Sequence, residues 1–176
     1  PMLKEKVEAG EIPPVEERLP EEPLVVEPNH EIGKYGGTLT LGSVSASQWS
    51  PALQSIQEYM LLLSRNLEEG TIPNIAKDWE FSDEGKVLTL YLREGMKWSD
   101  GEPFTVDDIM FWYEDVIQNE ELTPVIPSWF KVEGEMAEVE KVDDYTVRYK
   151  FAAPYWGFIH NLDSTSFRGT MNFGFI

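Results

Sequence analysis

Residues 98–116 read WSDGEPFTVDDIMFWYEDV, and this stretch constrains the fold more than any other part of the sequence. Three interpretations compete for it: a metal loop, an acid/base pair, or a turn that leads from a strand into a helix. The run Ser99–Gly101 has the composition of a tight turn, and Thr105 stands where a helix N-cap is expected. Asp108 follows at the third helical position, so the pair forms a capping box with Asp in place of the usual Glu or Gln. Asp107 and Asp108 both fall in the first helical turn, where the helix dipole favours a negative charge by about 0.3–1 kcal/mol each. We therefore predict that the stretch leads from a strand into a helix.

Two apolar patterns predict the main helices. After Thr105, apolar residues recur at a spacing that places them on one helical face, which predicts a helix up to residue 117; they are Val106, Ile109, Met110, Tyr113, Val116 and Ile117. Earlier in the chain, the same kind of spacing predicts a buried helix over residues 53–67; its apolar positions are Leu53, Ile56, Met60, Leu63 and Leu67.

Alternating patterns predict two hairpins and an opening strand. DWEF (residues 78–81) and KVLTLYLR (86–93) flank an Asp/Gly turn, and AEVEKVDDYTVRYKF (137–151) has the same plan around Asp143 and Asp144. Both faces of the second strand, 86–93, are largely apolar, which indicates a strand covered on each side. GGTLTLGSV (36–44) alternates Leu with Thr and predicts the opening strand. The fold class predicted is α/β in the mixed α+β sense, with small sheets of hairpin strands packed by the two main helices.

Residues 1–35 differ in composition from the rest. Prolines stand at positions 13, 14, 20, 23 and 28. Proline lacks an amide donor and restricts the residue before it, so we predict an extended N-terminal arm that lies along the surface. The compact part is predicted to span residues 36–176.

Charge and composition exclude several classes of function. The 176 residues hold 32 acidic and 14 Lys or Arg side chains, for a formal charge of −18 and no cysteine. Such a surface repels phosphate backbones, so we expect no nucleic-acid partner. Without cysteine the chain has neither disulfides nor thiolate metal ligands.

The first residues lack a basic stretch followed by an apolar one, so no signal peptide is predicted in this chain. The apolar ending GTMNFGFI leads us to expect a longer natural polypeptide.

The pattern of metal ligands and nucleophiles favours no catalytic chemistry. The acidic stretches place apolar residues where a calcium loop needs oxygen ligands, and His30 and His160 have no partner at zinc-ligand spacing. No Gly-x-Ser-x-Gly elbow, phosphate loop or GxGxxG fingerprint is present. Carboxylate pairs are inevitable among 32 acids and carry little information. We therefore predict neither an enzyme nor a cofactor.

Aromatic side chains are the remaining candidates for function. Of the 6 tryptophans, Trp49, Trp129 and Trp156 fall in loops or at the ends of elements. They either pack as core residues and loop anchors or line a binding cleft, since flat aromatic surfaces suit sugars and peptide side chains.

The order of motifs resembles bacterial extracellular solute-binding proteins of family 5, the peptide- and oligosaccharide-capturing components of ABC importers. The resemblance rests on GGTLTLG (36–42), on residues 70–116 with the long motif from Pro73 to Asp108, and on VEKVDDYTVRYKF (139–151) with the Pro-aromatic segment after it. It extends over about residues 36–165.

The resemblance implies a periplasmic-binding-protein-like (type II) fold in which hinge closure traps a ligand between two lobes. Residues 36–176 then correspond to part of lobe I, and the second lobe and hinge lie outside them. The implied partners are a small peptide or oligosaccharide and, for the intact protein, ABC permease subunits. The implied location is periplasmic or extracellular, with membrane association of the intact precursor.

The resemblance also implies two ligand-binding stretches. The loop after the opening strand faces the cleft in the family and here contains Ser45, Ser47, Gln48 and Trp49. The second stretch offers Trp129 and Phe130. The first loop departs from the family, because Trp-Ser-Pro at 49–51 replaces the usual Leu-Asn/Asp-Pro.

Two alternatives stay open from the sequence. Acidic charge and loop tryptophans also fit a secreted carbohydrate-active module, and the chain could be a stand-alone interaction module. As a fragment of a lobe it is also expected to expose apolar surface and to self-associate.

Overall fold

A four-stranded antiparallel sheet forms the centre of the molecule. The computed structural model describes residues 3–28, 30–34, 36–38, 40, 58–64, 66 and 68–163. Strands β3 (Ala76–Ser82) and β4 (Val87–Leu92) form the first hairpin, and β7 (Glu138–Asp143) and β8 (Thr146–Lys150) form the second. The strand order β3-β4-β8-β7 joins the two hairpins through the β4–β8 pair. Both hairpins are thus confirmed.

The two inner strands, β4 and β8, carry the core. Leu88, Leu90 and Leu92 on β4 have no exposed surface, and neither have Val147 and Tyr149 on β8. The opposite face of β4 is only partly covered, since Thr89 is buried while Val87 and Tyr91 are half-buried. The prediction of a strand covered on both sides therefore holds fully for one face and in part for the other.

Helix α2 begins at the predicted cap and packs on this core. It runs over Val106–Phe111 and continues as a wider π-helical stretch over Trp112–Ile117. The amide of Asp107 donates to Thr105 Oγ1 at 3.2 Å, and the amide of Thr105 donates to Asp108 Oδ2 at 2.8 Å. The other carboxylate oxygen, Oδ1, accepts from the indole Nε1–H of Trp98 at 3.1 Å. One side chain, Asp108, thus holds both the helix start and the preceding turn, as the strand-to-helix interpretation requires.

The predicted helix over residues 53–67 is wrong in its described part. β1 (Leu61–Leu63) pairs antiparallel with β2 (Thr71–Pro73), so Leu63 lies in a strand, and Met60 just before it is buried without being helical. The intervening turn closes with the amide of Glu69 donating to the carbonyl of Asn66 at 3.0 Å. A short apolar run fits either a helix or a buried strand, and here the partner strand across the turn decides. Leu53, Ile56 and Leu67 lie outside the described residues.

The remaining elements are short. Strands β5 (Lys131–Val132) and β6 (Glu135–Met136) form a small hairpin, and helix α3 (Ile159–Asp163) packs against β1 and β2. In the opening strand predicted for 36–44, Thr38 and Thr40 are exposed and lie outside the strands of the structure, so that prediction is not supported there. Leu39 and residues 41–44 are outside the described part. Of the helices in that part, none combines the length and apolar character that a membrane crossing needs.

The N-terminal arm docks on the end of β4. It contains α1 (Lys4–Glu8) and one 3-10 turn (Val15–Glu17), and its side chains are mostly exposed. The amide of Glu21 donates to the carbonyl of Glu94 at 3.0 Å, and Arg93 donates from Nη1 to the carbonyl of Glu22. Arg93 is itself buried and also donates from Nε to the carbonyl of Asn74 at 2.6 Å. The guanidinium group of Arg93 thus binds one backbone carbonyl of the arm and one of the compact part.

Candidate ligand-binding surface

Two of the six predicted site residues lie in the described part of the chain. Trp129 and Phe130 belong to a 3-10 turn, Ser128–Phe130. The other four, Ser45, Ser47, Gln48 and Trp49, lie outside the described residues, and their role stays a prediction.

The β5–β6 hairpin positions the two aromatic residues. Its turn has Glu133 and Gly134 at φ angles of 54° and 88°, the left-handed pair that a tight two-residue hairpin needs. The amide of Phe130 donates to the carbonyl of Pro127 at 3.0 Å, and the amide of Ala137 donates to the carbonyl of Phe130 at 2.9 Å. The backbone is therefore fixed on both sides of Trp129.

Trp129 rests on a cluster of rings, which we call the aromatic cluster and which comprises Trp112, Tyr113, Trp129, Phe130, Tyr149 and Phe158. The ring of Trp129 stacks on Trp112 with centroids 6.5 Å apart and an interplanar angle of 19°. It stacks on Phe158 at 6.2 Å and 30°, and meets Phe130 edge-on at 5.3 Å. Tyr149 contacts Phe158 at 5.3 Å and so ties the cluster to the central sheet.

The two predicted site residues differ in exposure. Phe130 has no exposed surface, whereas Trp129 is half-buried. The core encloses Phe130 on all sides, so its position indicates packing and does not favour contact with a ligand. Of the pair, Trp129 alone has surface that a ligand can reach.

The aromatic cluster is an apolar environment. Burial raises the pKa of the Tyr113 hydroxyl above its usual value and that of Tyr149 much further, since the phenolate form is disfavoured away from water. Both phenols stay neutral at physiological pH. A half-buried indole on a rigid apolar support can stack against the C–H face of a sugar ring or an apolar side chain, while it offers no proton transfer.

A polar contact at α3 was missed by the sequence analysis. Asp163 is 4% exposed, accepts from Thr71 Oγ1, and lies 3.3 Å from His160 Nδ1. The threonine and the histidine both contact the same carboxylate, so this arrangement joins α3 to β2. Thr71 and Asp163 are 92 positions apart, and no local pattern signals their contact. In the described part of the chain, no three His, Asp or Glu side chains come together as metal ligands would.

Comparison with known proteins assigns the family. The model for "Bacterial extracellular solute-binding proteins, family 5 Middle" matches residues 70–169, more than half of the chain. The chain belongs to family 5 of these solute-binding proteins. The matched segment contains the capped helix α2, the aromatic cluster and all four strands of the central sheet.

Similar proteins carry the names of sugar and peptide binders. A periplasmic alpha-galactoside-binding protein of Rhizobium meliloti (strain 1021) is 34% identical over 166 residues, which cover 82% of this chain and 24% of that protein. Among solved structures, an oligopeptide-binding protein OppA has a TM-score of 0.81 and 40% identity, covering 92% of this chain and 25% of that one. The periplasmic binding protein MelB of Agrobacterium fabrum C58, solved with stachyose, has a TM-score of 0.66 and 31% identity, with 94% of this chain and 28% of that one covered.

The chain spans about a quarter of the length of these relatives. Its mixed α and β structure is a fragment of the periplasmic-binding-protein fold, as the sequence predicted.

Proposed function

We propose that the full-length protein captures a peptide or an oligosaccharide as the solute-binding component of an ABC importer, and that this chain supplies part of its first lobe. The observation that carries the proposal is the similarity over 82% of the chain to an alpha-galactoside-binding protein. The proposal includes hinge closure over the solute and release to permease subunits, and no chemical conversion.

The proposed ligand contact in the described part is Trp129. Its ring packs against Trp112 and Phe158, so little side-chain freedom is lost when a ligand binds, and rigid aromatic surfaces retain more affinity for that reason. Phe130 is proposed to position Trp129 and not to touch the ligand. The loop with Ser45, Ser47, Gln48 and Trp49 is proposed as a second contact on the family resemblance alone.

The proposed organisation keeps residues 1–35 as an arm and residues 36–176 as part of a lobe. The hydrogen bonds of Arg93 and Glu94 to the arm at Glu22 and Glu21 support an arm that is bound to the lobe surface. We propose a periplasmic or extracellular location, because the relatives named above are periplasmic proteins. Self-association through exposed apolar surface is proposed for the isolated fragment, in which Leu122 and Val125 are 64% and 79% exposed.

Isothermal titration calorimetry of the full-length protein tests the proposal. The ligands are stachyose and, in separate titrations, a set of tri- to pentapeptides. The bound ligand is then recovered, and its mass is measured by mass spectrometry. We expect saturable one-to-one binding of one class, with the ligand recovered unchanged. Absence of binding in both classes contradicts solute capture, and recovery of shortened sugars supports the carbohydrate-active alternative.

A pair of variants tests the part assigned to Trp129. Trp129→Ala is expected to weaken binding by about tenfold or more, the loss of one stacking contact. The matched control is Phe111→Ala, which removes another aromatic side chain, one that is 45% exposed on α2. Equal affinities for the two variants contradict ligand contact by Trp129.

A further inference from the structure

Trp156 presents an exposed aromatic surface at the turn of the first hairpin. It opens a 3-10 turn, Trp156–Phe158, after β8, and it is 57% exposed, more than any other tryptophan or phenylalanine in the described part. Its ring contacts Phe81 on β3 with centroids 4.9 Å apart and an interplanar angle of 51°. Trp156 is one of the three tryptophans that the sequence predicts in loops or at element ends, and the proposed function makes no use of it.

Gly85 makes room for this indole. A Cβ atom at position 85 would lie 2.4 Å from Cε2 of Trp156 and 2.7 Å from Nε1, closer than any side chain can approach. The amide of Tyr155 donates to the carbonyl of Gly85 at 2.9 Å, and the amide of Phe151 donates to the carbonyl of Lys86 at 2.8 Å. The indole is therefore held against the hairpin turn although more than half of it faces water.

The turn itself has an unusual backbone. Asp83, Glu84 and Gly85 follow one another at φ angles of 47°, 53° and 87°. The left-handed region suits glycine and is adopted by Asp in turns, whereas it is costly for Glu. The strained conformation places two carboxylates directly before the glycine on which the indole rests.

The polar side chains of the turn are available to a ligand. Asp83 and Glu84 are exposed and Lys86 is half-buried, and within the described part of the chain their charged groups form no side-chain hydrogen bond or ion pair. The three charged side chains together carry a net charge of −1, so the turn has no large excess of either sign. Donors and acceptors of this kind pair well with hydroxyl groups.

From this arrangement we propose that Trp156 and the turn Asp83–Lys86 bind a neutral pyranose ring. The C–H face of the sugar stacks on the exposed indole, and its hydroxyl groups donate to Asp83 and Glu84 and accept from Lys86. Gly85 is a positioning residue that keeps the indole in place. This site is argued independently of Trp129, and its sugar need not be the solute that is captured between lobes.

Fluorine NMR of the full-length protein labelled with 5-fluorotryptophan tests the site. The resonance of Trp156 is identified as the one that disappears in Trp156→Phe. Methyl α-galactoside, stachyose and acetylarginine amide are then added in separate titrations. We expect a saturable shift of the Trp156 resonance with both sugars and none with the arginine derivative. The absence of a sugar-dependent shift overturns the proposal, as does a shift caused by acetylarginine amide alone, which assigns the surface to a cationic ligand.

Variants separate the parts of the site. Asp83→Asn and Glu84→Gln are each expected to weaken the sugar-dependent shift by about threefold to tenfold, the loss of one charge-assisted hydrogen bond. Gly85→Ala is expected to move the Trp156 resonance before any sugar is added and to remove its response. Phe111→Ala serves as the control and is expected to leave the response unchanged. If both carboxylate variants respond like the parent protein, the hydrogen-bonding part of the proposal is wrong.

The outcome is distinguishable from failure of the proposed function. A Trp156 shift with sugar, together with calorimetric binding that Trp129→Ala leaves unchanged, supports this surface site and contradicts capture at Trp129. Calorimetric binding that Trp129→Ala weakens, without a Trp156 shift, supports capture between lobes and contradicts the surface site.

Discussion

Replacing Asp108 by alanine is expected to destabilise the protein far more than replacing its neighbour Asp107. Asp108 is half-buried, accepts from the Thr105 amide at 2.8 Å and accepts from the Trp98 indole at 3.1 Å. Asp107 is exposed, and its carboxylate pairs with Lys141 at 2.7 Å in solvent. The two aspartates share the first helical turn, so they are a matched pair.

The magnitudes follow from these contacts. A hydrogen bond to a charged group contributes about 1.5–3 kcal/mol, and Asp108→Ala removes two such bonds while it leaves the Thr105 N-cap in place. Water partly replaces both bonds at a half-buried carboxylate, so we expect Asp108→Ala to cost about 2–3 kcal/mol. An exposed ion pair contributes at most about 1 kcal/mol, and we expect Asp107→Ala to cost less than that.

Urea unfolding followed by tryptophan fluorescence and circular dichroism measures both values. The midpoints should fall with unchanged slopes, because neither substitution alters the surface exposed on unfolding. Asp108→Asn is expected to lie between the parent and Asp108→Ala, since the amide oxygen can keep one of the two bonds. Equal costs for Asp107→Ala and Asp108→Ala would refute the assignment of Asp108 as the residue that joins the turn to the helix.

Three further outcomes follow from burial and titration. Phe130→Ala is expected to lower the free energy of unfolding by about 3–5 kcal/mol in urea, because it leaves a cavity in the aromatic cluster, and a cost below about 1 kcal/mol contradicts its burial. Burial raises the pKa of Tyr149, so the contribution of its neutral phenol to the free energy of unfolding is fully present below the unfolded tyrosine pKa of about 10. That contribution is lost as the pH rises above this value. Absorbance at alkaline pH should show one phenol that ionises only on unfolding, and ionisation of every tyrosine in the folded protein argues against this. The amide of Tyr145 donates to Asp143 at 2.8 Å, and this hydrogen bond is the largest cause that lowers the Asp143 pKa. The Asp143 carboxylate therefore stabilises the folded protein fully above the unfolded pKa of about 3.9, and this stabilisation is lost as the pH falls through the lower folded pKa. Carbon NMR of the carboxyl group measures that pKa directly, and a midpoint at or above 3.9 contradicts it.

Short-range sequence patterns predicted the features that depend on short-range interactions, namely the two hairpins and the start of α2. Alternation predicted both hairpins, and the box formed by Thr105 and Asp108 predicted the start of α2, because these features depend on residues a few positions apart. The apolar run at 61–63 fitted a helix equally well, and only its pairing with residues 71–73 decided for a strand.

Contacts across long separations were beyond the sequence analysis. Arg93 meets Glu22 across 71 positions, and Trp129 is supported by the rings of Trp112 and Phe158 from two other elements. Because burial depends on such contacts, the sequence analysis could name Trp129 and Phe130 as aromatic candidates but could not tell which of them reaches the surface. The exposed position of Trp156 on Gly85 was equally hidden, since a glycine in a turn has many uses.

A crystal structure of the full-length protein with its captured solute tests the central proposal most directly. The account predicts a solute enclosed between two lobes, with the β3-β4-β8-β7 sheet in the first lobe and Trp129 in van der Waals contact with the solute. A solute bound outside an inter-lobe cleft, or a full-length chain without a second lobe, would contradict it.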